Sequence, residues 1–451
     1  MKIGGTRKKI QIHEAPYVLK FNISSEDIKL LEHLIPHAPY VTPNFNNYKT
    51  TLDSMHNQLQ QTKTARRIKS ARETADPISA GTFKTKLLLN RKYIPSVIKK
   101  PAVIKKPTVT KNDILLLAWK MSIHWGIAGA GKISHDFVTA LQSLPKSEHV
   151  VVAVAARELS RAQNFSSLHN IEKAFDNYAK LAEDKDIDVI YIGTLHPQHF
   201  DIAKLMLHHG KHVLCEKPLT MNLKQTTELI NLAKEKKLFL MEGIWSRCFP
   251  VYEILKKEIE SGSIGQIHQV LVSFGFKMPD VERLNVKSLG GGTVLDLGVY
   301  GIQFACLIFN NEMPHTVQAA GCLNKEGVDQ SVSTTFLYNG NCTATIITHS
   351  LVDLPNEAFI IGTKGTIKVP NFWCPTTIEL PSGKINVSLP ETKSKFNFIN
   401  SVGLSYEANE VRNCILAGVT ESSKVPLNVS LLIAQLEDEI RRQVGVTYPE
   451  D

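Results

Sequence analysis

Trp125-Gly126-Ile127-Ala128-Gly129-Ala130-Gly131-Lys132-Ile133-Ser134 is the stretch on which the fold turns. It reads as the end of a strand, a glycine turn and the start of a helix, the order that a dinucleotide-binding fold needs. Gly129 allows the tight turn and Gly131 lets backbone approach a pyrophosphate. The helix opening at Lys132 and Ile133 offers N–H groups and the positive end of its dipole. Ser134 stands where a third glycine or alanine is usual, a small residue but a departure.

Outward from this turn, β-rich runs alternate with helical runs. Strands are expected over Ile123–Ala128, Val150–Ala155, Val189–Gly193, His212–Cys215 and Phe239–Met241, with helices over Ile133–Leu144, Pro197–Gly210 and Leu223–Lys237. Such alternation predicts a parallel sheet built by right-handed crossovers. After about residue 245 β-runs follow one another closely, with Asn339-Gly340 and Ser382-Gly383 as hairpin turns. The second half is therefore expected to be an α+β domain with a largely antiparallel open sheet. Helices near Thr293–Phe309, Tyr406–Ala417 and Val429–Val444 would cover one face of it. The expected division is a dinucleotide-binding Rossmann domain over 121–243 and a substrate domain over 244–451.

Residues 1–120 differ chemically from the rest. They carry 22 Lys plus Arg against 8 Asp plus Glu, with three glycines and eight prolines, whereas residues 121–451 carry 30 basic and 35 acidic residues. Proline spaced this way opposes continuous helix, and apart from a short capped helix at Ser25–Ile35 the segment is expected to be a poorly ordered basic extension. A basic arm for nucleic acid or an organelle address is the other reading, but the segment lacks interleaved aromatics on a recognisable module, so a nucleic-acid partner is not expected. Met121 is placed to start an independent protein. No run of 18 or more apolar residues occurs, which speaks against a membrane span, and no apolar segment of a secretory signal follows the basic first residues. Seven cysteines without a CxxC pair predict neither a disulfide scaffold nor a zinc ribbon, and a reducing, cytoplasmic setting is expected.

The strand Val150–Ala155 runs into Ala156-Arg157-Glu158-Leu159-Ser160-Arg161. A carboxylate at this strand end would bind the ribose 2′-hydroxyl of NAD. Arg157, Ser160 and Arg161 instead suit a 2′-phosphate, so NADP is favoured, while Glu158 would support NAD if it faced the ribose. His196 and His199 sit at a strand-to-helix junction without a third ligand at a credible spacing, so no metal centre is expected. Thr194, His196, His199 and Glu216 are assigned to the cofactor's surroundings, His199 framing the nicotinamide or capping its helix. Trp125, Trp245, Phe249, Phe274 and Trp373 are candidates for an apolar substrate wall, each equally at home in a core.

Cys215-Glu216-Lys217-Pro218 after a strand, with Gly129-Ala130-Gly131 upstream and Gly291-Gly292-Thr293-Val294-Leu295-Asp296-Leu297-Gly298-Val299-Tyr300 downstream, resembles the glucose–fructose oxidoreductase / inositol dehydrogenase family. The likeness covers nearly all of residues 121–451. It includes Gly193-Thr194-Leu195-His196-Pro197-Gln198-His199, Met241-Glu242-Gly243-Ile244-Trp245-Ser246-Arg247, Trp373-Cys374-Pro375-Thr376 and Ser405-Tyr406-Glu407-Ala408-Asn409. Most members place a histidine where this chain has Tyr300. The resemblance implies a metal-free oxidoreductase, a homodimer joined through its open sheet, and a substrate that is a trans-dihydrodiol giving a catechol or a pentose such as D-xylose giving a lactone. Asp296 and Tyr300, four apart, would share a helix face. Tyr300 would take the hydroxyl proton as hydride leaves, Lys217 would lower the phenol pKa and orient the cofactor ribose or substrate oxygen, and Asp296 would position the group. A non-catalytic NADP-binding sensor would keep the glycine turn and Arg157 but need neither Lys217 nor Tyr300.

Overall fold

The computed structural model describes residues 122–451; the expected basic extension lies outside the described residues. Six parallel strands form the first sheet in the order β3-β2-β1-β4-β5-β6. They are β1 (Ile123–Ala128), β2 (His149–Ala155), β3 (Lys173–Phe175), β4 (Val189–Ile192), β5 (His212–Glu216) and β6 (Leu240–Gly243). The order reverses between β1 and β4, and the crevice at that switch point is where open α/β sheets bind ligands. β1 is buried along its whole length, as the central strand of a sheet covered on both faces must be.

Helices Lys132–Leu141, Leu159–His169, Tyr178–Glu183, His199–His208 and Leu223–Lys236 alternate with these strands. The first ends at Leu141, short of the expected Leu144: Ser143 folds its hydroxyl back onto the Ala140 carbonyl at 2.7 Å just before Pro145, and a proline closes off further helix. The fourth begins with a tight turn, His196–Gln198, before regular helix starts at His199.

Eight strands form the second sheet in the order β14-β13-β12-β11-β7-β10-β9-β8. In chain order they are β7 (Ile267–Gly275), β8 (Thr316–Leu323), β9 (Asp329–Tyr338), β10 (Cys342–His349), β11 (Glu357–Gly362), β12 (Gly365–Pro370), β13 (Thr377–Leu380) and β14 (Gly383–Asn386). All neighbours are antiparallel except β7 and β10. Both expected hairpins form. At the first, Gly340 and Asn341 take positive φ (74° and 58°), and Tyr338 pairs with Cys342 around a loop one residue longer than the two-residue reading.

The helices meet this sheet differently from expectation. Val299–Ile308 packs on β7 and β10, and Leu427–Val444 packs on β8 and β9 while also touching helix Leu223–Lys236 of the first domain. Leu404–Leu416 packs on helix Lys132–Leu141 and the turn Trp245–Cys248, tying the two domains together. The apolar stretch Lys287–Ile308 is long enough to span a membrane by composition, and 94% of its most apolar 18-residue window is buried inside the protein. Its hydrophobicity serves the core.

Candidate active site

A cavity of about 830 Å³ opens along the switch point of the first sheet and is lined by both domains. Its nucleotide end is built by the glycine turn. Gly129 has φ +101°, and a Cβ there would come within 2.8 Å of the Gly193 carbonyl oxygen, so only glycine is unstrained at this position. The departure at Ser134 is accommodated: its side chain is fully buried against Gly193, where an added Cβ would lie 2.4 Å from the serine oxygen. A small residue at 134 and none at 193 are one packing requirement.

Helix Lys132–Leu141 has no side-chain cap and no acidic residue in its first turn, leaving its first N–H groups free for an anion. Thr194 Oγ1 is enclosed and has no hydrogen-bond partner. An uncapped helix and an orphaned hydroxyl beside a glycine turn fit a dinucleotide pyrophosphate. Arg157, just before helix Leu159–His169, and Arg161, in its first turn, are exposed and line the same cavity, as does Tyr178. Glu158 does not line it, and neither does Ser160, which sits on the solvent side of that helix.

At the junction of the domains, Lys217 Nζ donates to the Asp296 carbonyl at 2.7 Å and to its carboxylate at 3.1 Å. Arg283 Nη1 donates to the same carboxylate oxygen at 2.7 Å. Burial alone would raise the Asp296 carboxyl, but the Arg283 guanidinium and Lys217 ammonium hold it well below the usual carboxylate range. Asp296 lies on a π-helical turn, Val294–Gly298, that runs into helix Val299–Ile308 carrying Tyr300, so the two residues do not share one regular α-helical face as their spacing predicts. Single π turns recur at functional sites because they re-aim side chains.

Tyr300 accepts a hydrogen bond from Trp245 Nε1 at 2.9 Å and meets Phe274 edge-on at 5.6 Å between ring centroids. Burial and the nearby Glu216 carboxyl push its phenol well above its ordinary value, against the opposing effect of Trp245. The expected depression by Lys217 is not what the geometry produces. The ammonium lies 5.0 Å from the centroid of the ring, and its charge is taken up by Asp296.

Trp245, Phe274 and Trp373 line the cavity, with Phe276 and Met278 beside them. Trp125 and Phe249 do not. Trp125 lies in the central strand β1, packs edge-on against Phe137 and donates to His149 Nδ1 at 3.2 Å. Phe249 is enclosed behind Trp245, between that ring and Tyr406. Both are core side chains.

His196 and His199 line the cavity with Glu216; His196 Nε2 lies 3.8 Å from the Asp296 carboxylate, and the other ring nitrogens are turned toward carbonyls. His196 Nδ1 lies 3.1 Å from Gly290 O and His199 Nδ1 2.8 Å from Pro218 O. Burial lowers them to about 3 and about 4, so both are neutral at pH 7. Among the described residues no group of three or more His, Cys, Asp or Glu gathers as a metal site. Sequence reasoning missed Tyr178, Arg283, Lys277 and the segment Asn397–Ile399, all of which line the cavity. None lies in a recognisable motif: Tyr178 opens helix Tyr178–Glu183 and Arg283 sits in the short helical turn Glu282–Asn285, while Lys277 and Asn397–Ile399 arrive through loops.

Two family profiles match the chain: an oxidoreductase family with an NAD-binding Rossmann fold at residues 123–244, and the GFO/IDH/MocA C-terminal domain at residues 252–368. The trans-1,2-dihydrobenzene-1,2-diol dehydrogenase of Danio rerio is 46% identical over 336 residues, 73% of this chain and 99% of that protein. The chain belongs to the GFO/IDH/MocA oxidoreductase family. The Homo sapiens protein of the same name is 40% identical over 332 residues, again 73% of this chain and 99% of that one. KijD10, a 3-ketoreductase from Actinomadura kijaniata solved with NADP and TDP-benzene, shares the fold at 24% identity and a TM-score of 0.62, over 72% of this chain and 99% of its own. Levoglucosan dehydrogenase, solved with NADH and levoglucosan, does so at 19% identity and a TM-score of 0.63, over 72% and 97%. This member of the GFO/IDH/MocA family is an NAD(P)-dependent dehydrogenase acting on CH–OH groups.

Proposed function

We propose that this chain oxidises a secondary alcohol with NADP, the alcohol being a trans-dihydrodiol of an aromatic ring or a pentose such as D-xylose. The observation that carries the reading is the meeting of Lys217, Asp296 and Tyr300, from two domains, on a cavity shared by the glycine turn and an aromatic wall. When bound, the nicotinamide supplies the hydride acceptor. Tyr300 Oη, held by Trp245, exchanges the hydroxyl proton: it receives it as the ionised oxygen in oxidation and returns it to the carbonyl oxygen in reduction. Asp296, fixed by Arg283, holds the Lys217 ammonium at the edge of the reacting position, where it orients the substrate oxygen or cofactor ribose. Trp245, Phe274 and Trp373 offer a flat apolar face to a ring. The curated relatives named trans-1,2-dihydrobenzene-1,2-diol dehydrogenase support the diol class.

NADP is favoured over NAD because Arg157 and Arg161 line the cavity and Glu158 does not. A homodimer through the uncovered face of the second sheet is part of the proposal. Along that face Phe359 pairs with Leu271, and Leu271 with Thr345, while the alternate Ile346 packs beneath the helix at Gly301. A reducing, cytoplasmic setting accords with seven unpaired cysteines. The deciding experiment is a panel of trans-dihydrodiols, pentoses and simple secondary alcohols, followed by nicotinamide absorbance with each cofactor. Turnover of none of the diols or pentoses would overturn the substrate class.

A further inference from the structure

Between β14 and the helical turn Ser401–Gly403 that leads into helix Leu404–Leu416, the chain crosses the nucleotide end of the cavity without regular structure, and it is seated there by one residue. Asp136, wholly buried in helix Lys132–Leu141, accepts from the backbone N–H of Asn397 at 2.8 Å through Oδ1, with a longer contact of 3.1 Å through Oδ2. It also accepts from Asn397 Nδ2 at 2.8 Å and from the Phe398 N–H at 2.9 Å. Asn397 Nδ2 reaches the Lys132 carbonyl as well, at 3.3 Å. On the far side, Asn400 donates to the Cys374 carbonyl at 2.9 Å. The strap is thus fixed one turn inside the helix whose free N–H groups face the cavity.

Two features need an explanation. A carboxylate one turn inside an anion-binding helix would repel a pyrophosphate, and a buried one needs its own donors. The three strap N–H groups supply them. Phe398 and Ile399, next along the strap, are 44% and 55% exposed although both line the cavity. Large apolar side chains held at such exposure by a built hydrogen-bond seat are placed to be covered by something that enters.

We propose that the strap Asn397–Ile399 is a clamp on the bound dinucleotide, with Asp136 as its positioning residue. Phe398 and Ile399 close over the cofactor where it passes the start of the helix and exclude water from the pyrophosphate contacts, which strengthens them. The substrate domain thereby retains the cofactor on the nucleotide domain. The inference rests on the dinucleotide occupying the glycine turn, as in the proposed function, and is independent of the substrate.

Stopped-flow quenching of NADPH fluorescence on the full chain tests both steps separately. Failure of the unmodified chain to bind NADPH or NADH would remove the cofactor reading, and the clamp with it. Given binding, Phe398→Ser combined with Ile399→Ser changes only exposed side chains and leaves the Asp136 seat intact. It is expected to raise the dissociation rate about tenfold or more, with the melting temperature of the cofactor-free protein unchanged. Asp136→Asn is expected to raise the same rate, and KM for the cofactor, by releasing the seat. A dissociation rate within twofold of the unmodified chain in the Phe398/Ile399 variant overturns the clamp, and that variant decides the matter if Asp136→Asn fails to fold.

Discussion

The Lys217 ammonium sits over the face of Tyr300, 5.0 Å from the ring centroid, while its hydrogen bonds go to Asp296. A cation over a ring face is held by the quadrupole and the ring in turn is held by the cation. The pair fixes the position of the phenol and leaves its proton affinity to other neighbours, Glu216 foremost among the charges.

Tyr300→Phe keeps the ring under Lys217 and against Phe274, and deletes the oxygen proposed to exchange the substrate proton. Turnover should fall by roughly 10²–10⁴-fold with cofactor affinity and melting temperature little changed. Steady-state kinetics with a fluorescence titration of NADPH checks the separation; near-normal turnover would move the proton transfer to water or another group.

The phenol ionises late because it is buried near a carboxylate, so the oxidation rate should still be rising at pH 10, where an unperturbed tyrosine would be half ionised. Glu216→Gln removes the negative charge and keeps an acceptor for Tyr191, whose hydroxyl donates to Glu216 at 2.6 Å. The alkaline rise should move to lower pH in that variant. A pH–rate profile unchanged from that of the unmodified enzyme would exclude Glu216 as the controlling charge.

Arg157 and Arg161 offer charge-assisted hydrogen bonds that only a 2′-phosphate can use. The enzyme should prefer NADP clearly, and Arg157→Asp should weaken or reverse the preference. Comparison of kcat/KM for the two cofactors decides this; equal values in the unmodified chain would refute it.

Glu242 is buried in β6, where burial raises its carboxyl to about 7 although it accepts from the Leu219 N–H at 3.0 Å. Its folded value lies above its unfolded one, so its contribution to stability is fully present below about pH 4.5 and is lost as pH rises through about 7. Glu242→Gln keeps an acceptor for Leu219 without the charge. It should stabilise the protein at pH 8 by on the order of 3 kcal/mol relative to its effect at pH 4.5, read from denaturant unfolding at the two pH values.

A chain beginning at Met121 should fold, bind the cofactor and turn over normally, since the matched family domains begin at residue 123 and the cavity is lined from Gly129 onward. Insolubility or inactivity of that shorter protein beside an active full chain would make residues 1–120 part of the working enzyme.

What the sequence determined by itself is local or periodic: the alternation that builds β1 to β6, the glycine turn at Gly129, the hairpin at Asn339-Gly340, and the Lys217 and Asp296–Tyr300 motifs. Each depends on residues within a few positions of one another, and backbone sterics or side-chain period suffices to read it. Tertiary structure alone decided which aromatics face the cavity. Trp125 and Trp245 are alike in sequence, yet one points into the packing of a central strand and the other donates to Tyr300, because orientation depends on which element lies opposite. It also decided the proton affinity of Tyr300, which depends on its burial and on Glu216 and Trp245, brought to it from two other chain segments. The seat of Asn397 and Phe398 on Asp136 joins residues some 260 positions apart, and no local pattern announces a contact whose partners meet only when both domains have folded.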